Sequence, residues 1–353
     1  MQGAQTLLVT NAETALKSPK VRSILTNRLV HQLDEILRRK GETGLHFRKA
    51  EGRIVVSGVK RMEGSLKALR QMFGVAVVSP CVVTENHREM ILGEASRLFD
   101  ATYESEATFA VRARRFVDLP FTSRDLEREL GGLIQQKHRR LTVDLDEPNL
   151  IVYIEARRDG AYIYCRRYKG PGGLPYGSQG RVVGLLLCGY DLLAMWLLMR
   201  RGAKVIPIYV GDGRPEDVDP LFTEFKRIRE VVPVDRLKIY RIELREGNRE
   251  AVTKRTLYRL AALIAEKEKA KGIVTGERFD LPHGRILNSE DASQPILKPL
   301  FLLDEAEIEC YRRLAEIACG FENLWKEHAA PDSSTRVQYE ALKLLDLAER
   351  EYL

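Results

Sequence analysis

Cysteine is scarce in this 353-residue chain and is scattered where it occurs. The five cysteines (Cys81, Cys165, Cys188, Cys310, Cys319) are odd in number and form no Cys-x-x-Cys pair. This argues against a disulfide framework and a four-cysteine zinc site, and for a reducing compartment, taken as the cytoplasm. The six histidines (His31, His46, His87, His138, His283, His328) share no ligand spacing, so no metal site or metal cluster is expected. The opening MQGAQTLLVT lacks the basic n-region of a secretory signal. There is no internal repeat and no low-complexity tract. Uninterrupted apolar length is missing as well. The one run long enough for a membrane span, residues 182–199, has Asp191 in its middle and Gly189 nearby. It reads as a buried strand, a tight turn and a buried helix, so no membrane partner is expected.

The chain does hold 44% apolar residues, enough for ordinary cores, and its length suggests two or three domains. Its net charge of +7 is uneven. Residues 1–180 hold 29 basic and 21 acidic side chains, which is +8. The remainder holds 57−29=28 basic and 50−21=29 acidic, which is −1. A polyanion-binding module in the first half and a near-neutral module behind it fit this division. A merely soluble basic surface fits the composition equally well.

Periodicity predicts a strand at 4–10, a helix at 19–40 ending in Arg38-Arg39-Lys40 before Gly41, a strand at 53–57 and a helix at 62–73. This resembles a small ferredoxin-like α+β unit. From about 82 to 166 the pattern gives a helix at 88–100, a strand at 108–114, a helix capped by Thr122-Ser123-Arg124-Asp125, and strands at 141–144, 150–155 and 161–167. After Gly170-Pro171-Gly172-Gly173, strand-like runs (182–187, 204–210, 237–244, 272–275) alternate with helical ones (192–200, 220–230, 248–270, 304–318). Such alternation predicts an α/β domain with a parallel sheet.

Within the basic half, Arg112 and Arg114 alternate to one face of a strand that ends at Arg115. Lys137, Arg139 and Arg140 follow the capped helix, and Arg166, Arg167 and Lys169 close the last strand. Each cluster alone reads as a solvated face. Together, converging on one edge, they would neutralise several phosphates of a nucleic acid read by shape or end. Phe109, Phe116 and Phe121 read as core.

In the second half, the turn Leu187-Cys188-Gly189-Tyr190-Asp191-Leu192 opens a helix, a natural place for an anion. An ATP pyrophosphatase loop has Ser-Gly-Gly-x-Asp-Ser there. Gly189 and Asp191 fit; both serines and one glycine are absent. Asp191 is therefore either a catalytic carboxylate or a helix N-cap. Cys188 is either a nucleophile activated by the helix N-terminus or a buried small hydrophobe.

Several stretches resemble the tRNA 4-thiouridine synthetases, also called tRNA or thiamine biosynthesis sulfurtransferases. They are Asn11-Ala12-Glu13-Thr14-Ala15-Leu16-Lys17, Phe109-Ala110-Val111-Arg112-Ala113-Arg114-Arg115, Phe121-Thr122-Ser123 with Glu129-Leu130-Gly131, and Arg201-Gly202-Ala203-Lys204-Val205. Ile273-Val274-Thr275-Gly276-Glu277 and Leu297-Lys298-Pro299-Leu300 belong with them. The most specific is the linker Gly170-Pro171-Gly172-Gly173-Leu174-Pro175-Tyr176-Gly177-Ser178-Gln179-Gly180. The resemblance implies a ferredoxin-like domain (1–80), a THUMP RNA-binding domain (81–169), a linker (170–180) and a PP-loop domain (181–353), in a homodimer. It implies tRNA as partner, held at its acceptor end by Lys17, Arg22, Arg112, Arg114, Arg115, Lys137, Arg139 and Arg140. It also implies ATP with Mg near Gly189, Asp191, Thr275, Gly276 and Lys298, adenylation of a uridine, and sulfur delivered by a persulfide cysteine.

The sequence departs from that pattern at the chemistry. Besides the lost serines, Glu305 in Leu303-Asp304-Glu305 stands where the family has lysine. Arg278-Phe279-Asp280-Leu281-Pro282-His283 replaces a polar stretch, and residues 327–335 hold no cysteine. Glu250 and Thr253 stand at the places of an archaeal-type Cys-x-x-Cys, and no rhodanese extension follows. Each lost donor at a phosphoryl site costs about 3–4 kcal/mol of transition-state stabilisation. The expectation is a tRNA-binding member of the family whose PP-loop domain is impaired in adenylation and sulfur transfer. The alternatives are an active ATP-dependent tRNA sulfurtransferase using Asp191 with an external sulfur-donor protein, and a structural partner of an active homologue.

Overall fold

A computed structural model describes residues 6–11, 13–50, 52–105, 107–211, 219–230, 232–233, 237–243, 252–278, 294–317, 341, 345 and 349–352. The chain divides into two compact units, Met1–Gly172 and Gly173–Leu353.

The first unit opens with β1 (Thr6–Thr10), α1 (Pro19–Arg39), β2 (His46–Ala50), β3 (Arg53–Ser57), α2 (Met62–Leu69) and β4 (Val77–Thr84). The strand order β2-β3-β1-β4 makes this a ferredoxin-like unit. Alternate residues Leu7, Val9, Ile54, Val56 and Val78 pack with Leu29, Leu33 and Ile36 of α1 and Leu66 and Leu69 of α2, so one sheet face takes both helices. Helix α1 starts on Pro19, where a missing N–H costs nothing, and stops before Gly41 at φ 83°. Two strands escape the periodicity reading. Only Ala50 of β2 is buried, so no apolar alternation marks it. Pro80 lies inside β4, and an interior proline argues against a strand.

The chain continues through α3 (Arg88–Thr102), β5 (Thr108–Arg115), α4 (Ser123–Lys137), β6 (Thr142–Val143), β7 (Leu150–Arg157), β8 (Gly160–Tyr164) and β9 (Tyr168–Lys169). Helix α4 starts on the expected cap: the Asp125 N–H donates to Thr122 Oγ1 (3.1 Å), and the Thr122 N–H donates to Asp125 Oδ2 (2.7 Å). Strand β4 pairs with β1 along 77–81 and with β8 along 82–84. One sheet, β2-β3-β1-β4-β8-β7-β5-β6, thus runs through both halves of the unit.

That sheet is sharply curled. Four spacings separate β3 from β7, and at about 4.8 Å each a flat sheet would hold Arg53 and Glu155 roughly 19 Å apart. Their side chains instead pair at 2.8 Å. Arg48 of β2 likewise reaches Tyr162 of β8 (2.6 Å) and Asp159 (2.9 Å). Inside the curl lie Leu8, Val55, Cys81, Tyr162 and Tyr164, all buried.

The second unit contains β10 (Arg181–Leu186), α5 (Gly189–Arg200), β11 (Lys204–Gly211), α6 (Pro220–Glu230), β12 (Lys238–Glu243), α7 (Lys254–Lys267), β13 (Ile273–Val274), β14 (Ile296–Leu297), α8 (Glu305–Ala315) and β15 (Glu349–Tyr352). The order is β14-β13-β10-β11-β12-β15. All pairings are parallel except that of β15, an antiparallel edge strand that periodicity did not predict. The apolar run at 182–199 is β10, the turn and α5. Residues such as Leu193, Ala194, Met195 and Trp196 are buried on successive faces of that helix. No described helix is long and apolar enough to cross a membrane. Strand order reverses beside β10, so the crevice at the carboxyl ends of β10 and β13 is where such sheets place ligands.

One buried acid joins the two helices of the ferredoxin-like unit. Glu42, 1% exposed, accepts the N–H groups of Lys60 (2.9 Å) and Arg61 (2.7 Å) and the Ser65 hydroxyl (2.8 Å). Burial opposes its ionisation, but these donors outweigh that and hold its carboxyl below the usual range. A depressed carboxyl stabilises the fold above its unfolded pKa and loses that contribution as pH falls through the folded one. Glu42→Gln should therefore cost about 1–3 kcal/mol at neutral pH, with the gap to the unaltered chain closing below about pH 4. Urea unfolding across pH 3–7 measures this; a gap independent of pH contradicts it.

Candidate functional site

Asp191 closes the crevice at β10 and β13. It is 7% exposed. Its Oδ2 accepts the N–H groups of Leu187 and Cys188, each at 3.1 Å, and the Cys188 thiol at 3.5 Å. Its Oδ1 accepts the Gly276 N–H at 2.7 Å. One carboxylate thus ties the end of β10, the first turn of α5 and the end of β13. Burial pushes its pKa up, and the N–H donors pull it back only in part. The contact is close enough that a Cβ on Gly276 would lie 2.3 Å from the Tyr190 carbonyl carbon. Glycine is required there for close approach between backbones, and those backbones occupy the space.

Leu187 and Leu192, at the places of the two lost serines, are 7% and 1% exposed, and Cys188, at the place of the lost glycine, is 8% exposed. Burial, followed by the Asp191 charge, raises the Cys188 thiol well above its ordinary pKa. The nucleophile reading fails on this ground: the helix end lowers a thiol pKa only where the thiolate can be solvated or paired.

Beyond the turn the charged groups are already paired, with two ammonium groups sharing one carboxylate. Lys298 Nζ pairs with Glu277 Oε2 (2.7 Å) and Lys254 Nζ with Glu277 Oε1 (2.6 Å), while the Tyr258 hydroxyl donates to the same carboxylate (2.8 Å). Burial works against Glu277, but the two ammonium groups hold its carboxyl low. Thr275 is 3% exposed. Arg278, 4% exposed at its side chain, lies over the Tyr190 ring (5.1 Å), donates to the Tyr190 hydroxyl (2.7 Å) and pairs with Glu305 (2.8 Å). Glu305, read as a reversed charge, is thus the partner of a cation on the other side of the crevice. Thr253 caps α7, its hydroxyl accepting the Thr256 N–H (3.2 Å). Residues 279–283, 327–335 and Glu250 lie outside the described residues, and no group of metal-ligating side chains is found among the described ones.

Three family profiles cover this chain: "ThiI ferredoxin-like domain" at 6–79, "THUMP domain" at 87–166 and "Thiamine biosynthesis protein (ThiI)" at 177–316. The "Probable tRNA sulfurtransferase" of Methanobrevibacter smithii is 32% identical over 88% of this chain and 85% of its own length. The chain belongs to the tRNA sulfurtransferase family. The "tRNA sulfurtransferase" of Pyrobaculum aerophilum is 35% identical, but the chain spans only 57% of that relative's length. In fold, it resembles a 4-thiouridine synthetase solved as an RNA complex with bound ATP (TM-score 0.77, 20% identity, 99% of both chains). It also resembles a Pyrococcus horikoshii protein (TM-score 0.68, 26% identity, 87% of this chain and 98% of that one).

In the tRNA sulfurtransferase fold of the first unit, the sequence-predicted cations do not all meet. Arg112 and Arg114 are exposed and share a face, as alternation requires. The guanidinium of Arg112 donates to the Leu145 carbonyl and that of Arg115 to the Leu119 carbonyl. Helix α4 carries the chain back along β5, because β6 pairs with Thr108 and Phe109. Lys137, Arg139 and Arg140 therefore lie at the opposite end of β5 from Arg114 and Arg115, so the three clusters do not converge on one edge. Lys137, Arg139 and Arg140 line a shallow pocket with Tyr103, Gln136 and His138. Asp100 holds Lys137 and His138 there. Lys17 and Arg22 are exposed at the start of α1. Phe109 and Phe121 are core, whereas Phe116 is 45% exposed beneath Arg157 (4.1 Å), correcting its core reading. Sequence reasoning passed over Arg48, Arg53, Glu155 and Arg157. The signal for the group was Glu155, the one acid in the apolar strand LIVYIEAR.

Asp191→Asn tests the role of the clasp. An amide in place of Oδ2 would present N–H to two N–H donors. The variant should lose about 1–3 kcal/mol of unfolding free energy. Denaturant unfolding that matches the unaltered chain would contradict a clasp role.

Proposed function

We propose that this member of the family binds tRNA through its first unit and that its PP-loop domain does not adenylate or transfer sulfur. The modules are taken as 1–80, 81–169 and, after the linker 170–180, 181–353. The single observation that carries the proposal is the Asp191 clasp. The carboxylate a pyrophosphatase loop would turn toward its ligand is saturated by Leu187, Cys188 and Gly276. The residues present do not fit ATP. The serine hydroxyls are replaced by the buried side chains of Leu187 and Leu192, the Gly276 backbone lies against Tyr190, and Lys298 is paired with Glu277, which it shares with Lys254. Loss of one preorganised donor slows such chemistry by about 10²–10³, and here both hydroxyls are gone.

For tRNA binding, the support is family membership, the THUMP match and the exposed arginines of β5. Phosphate contacts dominate such binding and make it salt-dependent. Affinity for tRNA and for an acceptor-stem fragment should fall steeply with salt, and Arg112→Ala with Arg114→Ala should lower it and flatten the slope. Pyrophosphate release from ATP in the presence of tRNA should stay at background. Release that Asp191→Asn abolishes would overturn the proposal in favour of an active sulfurtransferase fed by a separate sulfur donor.

A further inference from the structure

Resting on the tRNA-binding reading, we propose that Glu155 is a positioning residue that holds the ferredoxin-like and THUMP halves in the curl that tRNA binding requires, without touching RNA itself. Glu155 is 5% exposed and lies on β7 of the curled sheet. From β3, Arg53 Nη2 donates to its Oε1 at 2.8 Å. From its own strand, Arg157 donates to Oε2 through Nε (3.0 Å) and Nη2 (2.7 Å), and the Tyr164 hydroxyl donates to Oε1 (2.9 Å). Its register partner on β5 is Arg114, one of the exposed arginines assigned to RNA. A single carboxylate thus binds guanidinium groups from two strands, and of these the Arg53 pair spans the two halves, as the Arg48–Asp159 pair also does.

Removing that charge leaves Arg53 and Arg157 against each other in a place where Arg157 is 3% exposed. Breaking a buried pair by taking one partner is far costlier than removing both. The curl must then open along β4, the strand the two halves share. Cys81 of β4, 1% exposed inside the curl beside Tyr162 and Tyr164, reports that opening. In the closed curl its thiol is pushed up to about 12, by burial first and then by the Glu155 charge, and is inert.

The sign of the effect separates this from simple electrostatics. Glu155→Gln removes a negative charge beside a basic surface, which by charge alone would tighten RNA binding. A positioning role predicts the reverse, a loss of about tenfold or more in tRNA affinity in the full chain. It also predicts that native-state alkylation reaches Cys81 while Cys188 of the second unit stays protected, a selectivity that general destabilisation would not produce. Arg53→Gln with Glu155→Gln, which restores the original net charge, should recover much of the Cys81 protection. If Glu155→Gln fails to fold, Arg53→Gln keeps the Glu155–Arg157 pair and carries the same Cys81 test. Equal or tighter tRNA binding with Cys81 still protected overturns the proposal. No tRNA binding by the unaltered chain overturns the reading beneath it and the proposal with it.

Discussion

Three ends of chain in the second unit meet on the carboxylate of Asp191. The end of β10, the start of α5 and the turn after β13 would each present unsatisfied N–H groups without it. The same contact brings Gly276 against Tyr190, so backbone meets backbone at the crevice that a doubly wound sheet offers to a ligand. What surrounds the clasp is consistent with it. Lys298 and Lys254 share Glu277, and Arg278 bridges Tyr190 and Glu305. Family architecture is retained there, and Asp191, Glu277, Arg278 and Lys298 all make contacts within the fold.

In the first unit a different constraint sets the shape. One sheet passes through two modules, and its curl brings residues four strands apart into contact. Glu155, whose carboxylate binds Arg53 and Arg157, is also the register partner of the exposed Arg114 on β5.

Much of this was legible in the sequence. The helix at 19–40, the Thr122 cap and the α/β alternation after residue 180 follow from periodicity and caps, which are local. The turn at Asp191 was placed, and its missing serines were visible as residue types. Whether Asp191 caps or catalyses was not, because its acceptors are filled in part by Gly276, 85 residues away, and no spacing rule reports that. Strands β2 and β4 escaped because one exposes nearly all its side chains and the other carries Pro80. The convergence of basic clusters failed for a topological reason: α4 spans the length of β5 and returns the chain to its far end. Lysine-to-glutamate reversal at Glu305 looked like simple loss, since its partner Arg278 is brought to it only by the fold.

Titration calorimetry of the full chain with Mg and ATP tests the closed crevice most directly. The account predicts no saturable heat up to millimolar nucleotide, because the Asp191 clasp and the Gly276 backbone fill the place of the phosphates. Saturable one-to-one binding in the micromolar range, weakened by a bulkier residue at Gly189, would contradict it.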